Sequence, residues 1–126
     1  MVKKLLHTRY RVSDLEKTIA FYRDVLGLEL IRRHTSPRGS ELVFFKAPGS
    51  EEEIEICKYD GSGEVKVGYD ITHLAFEVDD LQATVDRLAT DGYGLVGGIG
   101  QYEHTWRMAY VRGPEGIIVS LAERIG

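Results

Sequence analysis

His7, Glu55 and His73 are of residue types that commonly bind divalent metal ions. His7 lies in the segment Leu5–Val12 and Glu55 in the segment Glu52–Tyr59, both rich in residues that favour β-strands. Imidazole and carboxylate groups suit Zn, Ni, Co, Mn or Fe, and two histidines with one carboxylate form an open Fe(II) site in some enzymes. The residue types therefore predict a divalent metal site if the fold brings the three together.

The positions of the two histidines belong to an internal repeat of 66 residues, since 73 − 7 = 66. Five agreements at one offset predict two structurally equivalent modules. Equivalent positions of two like modules converge on an approximate twofold axis, so His7 and His73 are expected to face each other across a shared cleft. The same offset relates Val12 to Val78, Asp14 to Asp80, Leu15 to Leu81 and Pro48 to Pro114.

The repeat also indicates which residue of the second module corresponds to Glu55. Spacing alone allows Ser120 or Leu121, and the match of Ile54–Ile56 with Val119–Leu121 favours Ser120. A serine hydroxyl is a poor metal ligand, so we expect water to fill the fourth position beside Ser120.

The first module is predicted to have the order β-α-β-β-β. Its helix follows Ser13, which stands three residues before Glu16 as in a capping box, and ends near Gly27. The predicted strands are Leu5–Val12, Leu28–Arg33, Glu41–Lys46 and Glu52–Tyr59.

The second module is predicted to repeat that order. Its helix opens at Asp79-Asp80 and ends near Gly92, and the segment Gly113–Gly116 suits a type I turn. The predicted strands are Ile71–Val78, Gly94–Ile99, Trp106–Arg112 and Ile117–Leu121.

The expected fold class is α+β, one domain spanning residues 1–126. Two paired βαβββ modules, residues 1–60 and 70–126, form a curved, half-open sheet around a central cleft and are joined by a polar, glycine-rich linker at 61–69. Because each module is too small to cover its concave face, we expect a homodimer. The cleft then forms either within one chain or between two.

Composition limits the remaining classes of function. A net charge of −4 argues against a nucleic-acid partner, and no apolar run is long enough to span a membrane. The single cysteine, Cys57, excludes an internal disulfide framework, and the basic N-terminus lacks the features of a secretory signal. We therefore expect a cytoplasmic protein that acts on a small molecule.

Several segments of the chain resemble the glyoxalase I branch of the vicinal oxygen chelate superfamily, which includes glyoxalases, bleomycin-resistance proteins and dioxygenases. The resemblance covers essentially the whole chain. The matching segments are Leu5–Val12, Phe21–Gly27, Ile54–Ile56, Thr72–Phe76 and Gly113–Gly116.

The resemblance implies a function. Glyoxalase I is a metal-dependent lyase that isomerises the hemithioacetal of methylglyoxal and glutathione. By this resemblance His7, Glu55 and His73 are metal ligands, and Glu55 is also the candidate catalytic base. Arg11 matches an arginine that binds a carboxylate of glutathione. The chain departs from the family where the fourth ligand, a glutamate, is replaced by Ser120, and it lacks the asparagine-tryptophan pair usual after the position of Glu55.

A second group of candidate substrate-binding residues precedes the penultimate strand. Trp106 and Arg107 stand where the family places loops that face the substrate, and an aromatic ring with a fixed cation suits a ligand that bears a carboxylate.

Three functions remain open at this stage. The first is a glyoxalase I-like lyase or isomerase acting on a 2-oxoaldehyde-thiol adduct. The second is another metal enzyme of the superfamily, a dioxygenase or a fosfomycin-type transferase, which the two histidines and one carboxylate also suit. The third is a binding protein of the bleomycin-resistance type, which uses the cleft without a metal.

Overall fold

A computed structural model of the protein describes residues 1–61 and 63–126. Ser62, which falls in the predicted linker, lies outside the described residues. The chain divides into two compact units, Met1–Val65 and Lys66–Gly126, called here the first and second modules.

The first module has the predicted order β-α-β-β-β. Its helical segment consists of the α-helix α1, Leu15–Ile19, followed directly by π-helical turns over Ala20–Val25. Its strands are β1 His7–Arg11, β2 Glu29–Thr35, β3 Glu41–Lys46 and β4 Glu53–Lys58.

The second module repeats this order. Its helix α2 covers Leu81–Thr90, and a short 3₁₀ turn at Pro114–Gly116 precedes the last strand. Its strands are β5 His73–Glu77, β6 Gly100–Tyr102, β7 Trp106–Arg112 and β8 Ile118–Arg124.

Each module contains one four-stranded mixed sheet, in the order β1-β4-β3-β2 in the first and β5-β8-β7-β6 in the second. In both sheets the first and last strands of the module are parallel neighbours, and the other pairs are antiparallel. The predicted α+β class and the repeated order of elements are thus confirmed.

Each sheet has one face against the helix of its own module, and this face holds the core. In the first module Val43, Phe45 and Ile56 are completely buried there, and the ring of Phe45 lies 5.9 Å from that of Tyr22 in the helical segment. Alternate residues of a strand point to opposite faces, so the intervening residues lie on the other side, called here the open face.

None of the helices in the described part of the chain is long and apolar enough to cross a membrane.

The helices begin at aspartates that the repeat relates, which corrects the predicted start of α1. Asp14 accepts a hydrogen bond from the Lys17 backbone N–H at 3.0 Å, and Asp80 accepts one from Ala83 at 3.0 Å. Ser13, expected from the capping-box pattern, instead accepts a hydrogen bond from the backbone N–H of Val65. A carboxylate accepts a hydrogen bond from a free N–H at a helix start as well as a hydroxyl does. Asp14, one residue after Ser13, is therefore the N-cap residue of α1.

Two predictions for the second module were wrong in detail. The strand predicted at Gly94–Ile99 is absent apart from a bridge between Leu95 and Val111, and β6 begins at Gly100 instead. The turn at Gly113–Gly116 is not type I, because Glu115 has a φ of 66°. A positive φ at the third position is typical of type II.

Tyr22 carries a hydroxyl that is buried in the core of the first module. The residue is 1% exposed, and its hydroxyl has no hydrogen-bond partner in residues 1–61 and 63–126. Burial, together with the nearby Tyr10, raises the pKa of Tyr22 well above its ordinary value. We expect Tyr22→Phe to raise the free energy of unfolding in urea by about 1 kcal/mol, because it removes an unsatisfied buried group.

The matched control for this prediction is Tyr69→Phe. Tyr69 is 67% exposed, so the loss of its hydroxyl is expected to change the stability very little. A loss of stability in Tyr22→Phe would contradict the prediction.

Candidate metal site

His7 and Glu55 lie on the same open face of the first sheet. In the parallel pair β1–β4, His7 is opposite Glu53 and Arg9 is opposite Glu55. Since residues two apart share a face, all four side chains point to one side of the sheet. His7 and Glu55 therefore lie on neighbouring strands, and they are offset along the strand direction by two residues, or about 6.6 Å.

Glu55 is almost buried although it lies on the open face. The residue is 8% exposed, and Phe44 of β3 is its direct neighbour on one side. On the other side the Nε of Arg9 lies 3.8 Å from a carboxylate oxygen of Glu55. The Arg9 side chain is 56% exposed, so this ion pair is partly screened by water.

The ring of Phe44 contacts three other side chains of the first sheet, those of His7, His34 and Arg32. The His7 and Phe44 rings meet edge to face with their centres 6.0 Å apart, and His34 stacks on Phe44 at 5.9 Å. The guanidinium of Arg32 lies 3.8 Å from the centre of the Phe44 ring and forms an ion pair with Glu53 at 2.9 Å. Phe44 thus supports both candidate ligands, His7 at the edge of its ring and Glu55 on the next strand.

The second module repeats the aromatic contact around its own histidine. His73 meets Tyr110 edge to face, with the ring centres 6.2 Å apart, and Tyr110 follows Phe44 by 66 residues. In the strand register Ser120 is opposite Ala75 and Tyr110, as Glu55 is opposite Arg9 and Phe44.

This register places Ser120, and not Leu121, at the position equivalent to Glu55. Leu121 is completely buried and points to the helix-covered face. Ser120 is also completely buried, and its hydroxyl has no hydrogen-bond partner in the part of the chain that the structure describes. The second module therefore holds a histidine and an unsatisfied hydroxyl where the first holds a histidine and a carboxylate.

The predicted ligand set draws His7 and Glu55 from the first module and His73 from the second. No group of three or more His, Cys, Asp or Glu residues that could hold a metal ion occurs among the described residues. The donor types nevertheless fit a divalent ion, since two neutral imidazoles and one carboxylate are a common ligand set. The unsatisfied hydroxyl of Ser120 is compatible with a position taken by water.

Of the three predicted substrate-binding residues, Arg11 lies in the first module, and Trp106 and Arg107 lie in the second. Arg11 shares the open face with His7, and its guanidinium lies 5.7 Å from the centre of the Tyr59 ring. Trp106 lies on the open face of the second sheet, where Arg124 is 4.2 Å from its ring.

Arg107 lies on the other face of β7, because consecutive strand residues point to opposite sides. There it is 3.9 Å from a carboxylate oxygen of Glu123, which also accepts a hydrogen bond from the backbone N–H of Leu81 at the start of α2. The structure therefore does not bring Arg107 to the open face with Trp106.

Sequence reasoning missed a cavity beside Trp106. It has a volume of about 320 Å³ and lies where Ala75 and Ala122 leave space on the open face of the second sheet. The sequence did contain a signal for this cavity. Ala75 lies two residues after His73 and Ala122 lies two residues after Ser120, so two small side chains share the face of these residues. The larger residues around the cavity are Phe76, Glu77, Tyr102, Trp106 and Met108.

Cys57 is not suited to act as a nucleophile. It is completely buried at the end of β4, and this burial raises the pKa of its thiol; the nearby Arg9 opposes that effect and Glu55 adds to it. A buried thiol that keeps its proton is unreactive.

Comparison with known sequences finds relatives that match most of the chain. Residues 4–121 match the Glyoxalase/Bleomycin resistance protein/Dioxygenase superfamily. The chain is 34% identical over 123 residues to a probable lactoylglutathione lyase of Synechocystis, covering 94% of each chain. It is 31% identical over 125 residues to a lactoylglutathione lyase of Neisseria meningitidis, covering 96% of this chain and 91% of the relative.

Solved structures show the same fold. A glyoxalase family protein of Bacillus cereus superposes with a TM-score of 0.84 at 26% identity, covering 100% of this chain and 97% of the other. The trypanothione-dependent glyoxalase I of Leishmania major superposes with a TM-score of 0.80, also at 26% identity, covering 97% of this chain and 87% of the other.

Proposed function

Because the chain belongs to the Glyoxalase/Bleomycin resistance protein/Dioxygenase superfamily, we propose that it is a metal-dependent, glyoxalase I-like lyase. Its substrate is the hemithioacetal that a small 2-oxoaldehyde forms with a thiol. The observation that carries this proposal is the pair His7 and Glu55, which share one open face, with the carboxylate sheltered by Phe44. The resemblance to lactoylglutathione lyases over most of the chain supports it.

In this proposal His7, Glu55 and His73 hold the divalent ion, which is Zn, Ni, Co, Mn or Fe. The first two come from the first module and His73 comes from the second, within one chain or across a homodimer. When bound, the ion stabilises the negative charge that develops on the substrate oxygens. Water fills the remaining position beside Ser120.

Glu55 is the residue that moves the proton. Its carboxylate takes the proton from the carbon that bears the sulfur and returns it to the adjacent carbonyl carbon. The reaction is an isomerisation, so no atoms are gained or lost, and the product is the thioester of a 2-hydroxy acid. The burial of Glu55 beside Phe44 limits exchange of this proton with water.

Arg11 and Trp106 are proposed to hold the thiol part of the substrate. Arg11 presents a cation on the same open face as His7, which suits a carboxylate of a thiol such as glutathione. Trp106 lines the 320 Å³ cavity, which suits an apolar part of the adduct. Arg107 is left out of this role, because its ion pair with Glu123 lies on the other face.

The experiment that tests the proposal is a lyase assay on purified protein. The protein is stripped of metal with a chelator, reloaded separately with each of the five ions, and mixed with methylglyoxal and glutathione. Formation of the thioester that depends on added metal is the expected result. Absence of conversion with every ion, in protein shown to be folded, would exclude this activity.

A second candidate function is supported by the same open faces. Ser120 replaces a carboxylate, and Arg9 forms an ion pair with Glu55. These two features favour a small-molecule binding protein that uses no metal. Protein that holds no metal after purification, and binds none when it is offered, would favour this candidate over the lyase.

A further inference from the structure

We propose that Arg9 competes with the divalent ion for Glu55 and so weakens metal binding at this site. This inference rests on the proposed function, because it concerns the same carboxylate. It assigns a role to a residue that no sequence motif singled out. The expected consequence is a lower affinity for the divalent ion than the same ligands would have without Arg9.

The contact that carries the proposal is the ion pair between Arg9 and Glu55. These residues are direct neighbours on parallel strands and share the open face, and Nε lies 3.8 Å from a carboxylate oxygen. The Glu55 side chain is only 10% exposed, so few other directions are open to a cation that approaches it. The Arg9 side chain is 56% exposed and has room to swing into solvent. Binding of an ion at Glu55 therefore means that the guanidinium moves aside or stays close to a second positive charge.

The charges at equivalent positions of the two modules also support competition between Arg9 and the ion. In the first module a cation stands next to the only carboxylate of the predicted ligand set. In the second module the equivalent positions are Ala75 and Ser120, both uncharged. The predicted ligands together with Arg9 have no net charge before any ion binds, when both histidines are neutral. A divalent ion thus enters a site that is already neutralised.

The expected size of the effect follows from the distances. An ion bound to Glu55 lies within about 6 Å of an Arg9 side chain that keeps its present position, and repulsion between charges of +2 and +1 at that distance in water reduces affinity roughly tenfold. If the guanidinium instead swings away, binding of the ion breaks the ion pair, and the effect is smaller because an exposed pair contributes little. Retention near Glu55 is favoured because Arg9 and Glu55 are adjacent in the strand register.

The test is a measurement of Co(II) and Zn(II) affinity by competition with a chromophoric chelator, which needs no substrate. Arg9→Met keeps the length of the side chain and removes its charge, and it is expected to bind each ion on the order of ten times more tightly than the unmodified protein. Arg9→Lys keeps the charge and is expected to bind them as the unmodified protein does. Arg23→Met removes the same charge from an exposed pair with Asp24 on the helical segment, and it is expected to change nothing.

The outcomes separate this inference from the proposed function. Tighter binding in Arg9→Met alone supports the competition. Equal or weaker binding in Arg9→Met, with metal bound by the unmodified protein, overturns the role of Arg9 and leaves the metal site standing. If no folded variant binds either ion, the metal-dependent function and the inference both fail.

Discussion

Glu55→Gln is expected to abolish metal-dependent lyase activity, lowering kcat/KM on the order of a thousandfold. The amide has nearly the shape of the carboxylate but neither accepts a proton at neutral pH nor neutralises a divalent ion. The proposed function requires both roles of this one side chain, since Ser120 supplies no second carboxylate. The measurements are the rate of thioester formation and the affinity for Co(II).

The matched control for this prediction is Glu53→Gln. Glu53 lies two residues away on the same face of β4, directly opposite His7, and forms an ion pair with Arg32. We expect that variant to keep at least a tenth of the activity. Glu55→Gln is expected to remain folded, because its partner Arg9 is largely exposed and loses little when the pair is broken. Full activity in folded Glu55→Gln would remove Glu55 from the mechanism.

Ser120→Glu is expected to increase metal affinity on the order of a hundredfold, because it adds a second carboxylate to the ligand set. The equivalent position in the first module already holds a glutamate, between Arg9 and Phe44. At Ser120 the neighbours are Ala75 and Tyr110, so the residue on the β5 side is smaller than Arg9, the corresponding neighbour of Glu55. The affinity for Ni(II) and Co(II), measured by chelator competition, checks the prediction.

Ala122→Glu is the matched control, because it adds the same charge two residues further along the same face of β8. It is expected to leave metal affinity within about threefold of the unmodified protein, since its distance from the site weakens the attraction. Ser120→Asp, one methylene shorter, repeats the test if the longer side chain disturbs β8. Unchanged affinity in both folded variants at Ser120 would show that this position does not face the ion.

The repeated order of elements was predictable because two independent signals agree. Local patterns of β-formers and helical periodicity give the elements, and the 66-residue offset requires that both modules have the same order. Asp14 and Asp80, related by this offset, indeed begin the two helices. The position of β6 was not predictable in the same way. The segment Gly94–Ile99 contains three apolar residues that favour a strand, but its three glycines disfavour one, and it pairs only at Leu95.

The kinds of residue in the candidate site were predictable from sequence, but their neighbours were not. Strand alternation places Arg9 on the face of His7, yet only the register of β1 with β4 shows that Arg9 is opposite Glu55. The same alternation places Trp106 and Arg107, which are adjacent in sequence, on opposite faces of β7. Cross-strand pairing depends on contacts distant in sequence, so a single chain gives no direct signal of it.

The burial of Cys57 at the end of β4 makes it a built-in reporter for one half of the molecule. It is the only thiol in the sequence, and it is completely buried in the folded chain. Alkylating reagents can therefore reach it only when that half opens, so the rate of labelling in native buffer measures the free energy of this opening. The second half contains no cysteine and gives no signal in such an experiment, so the labelling rate reports on the first half alone.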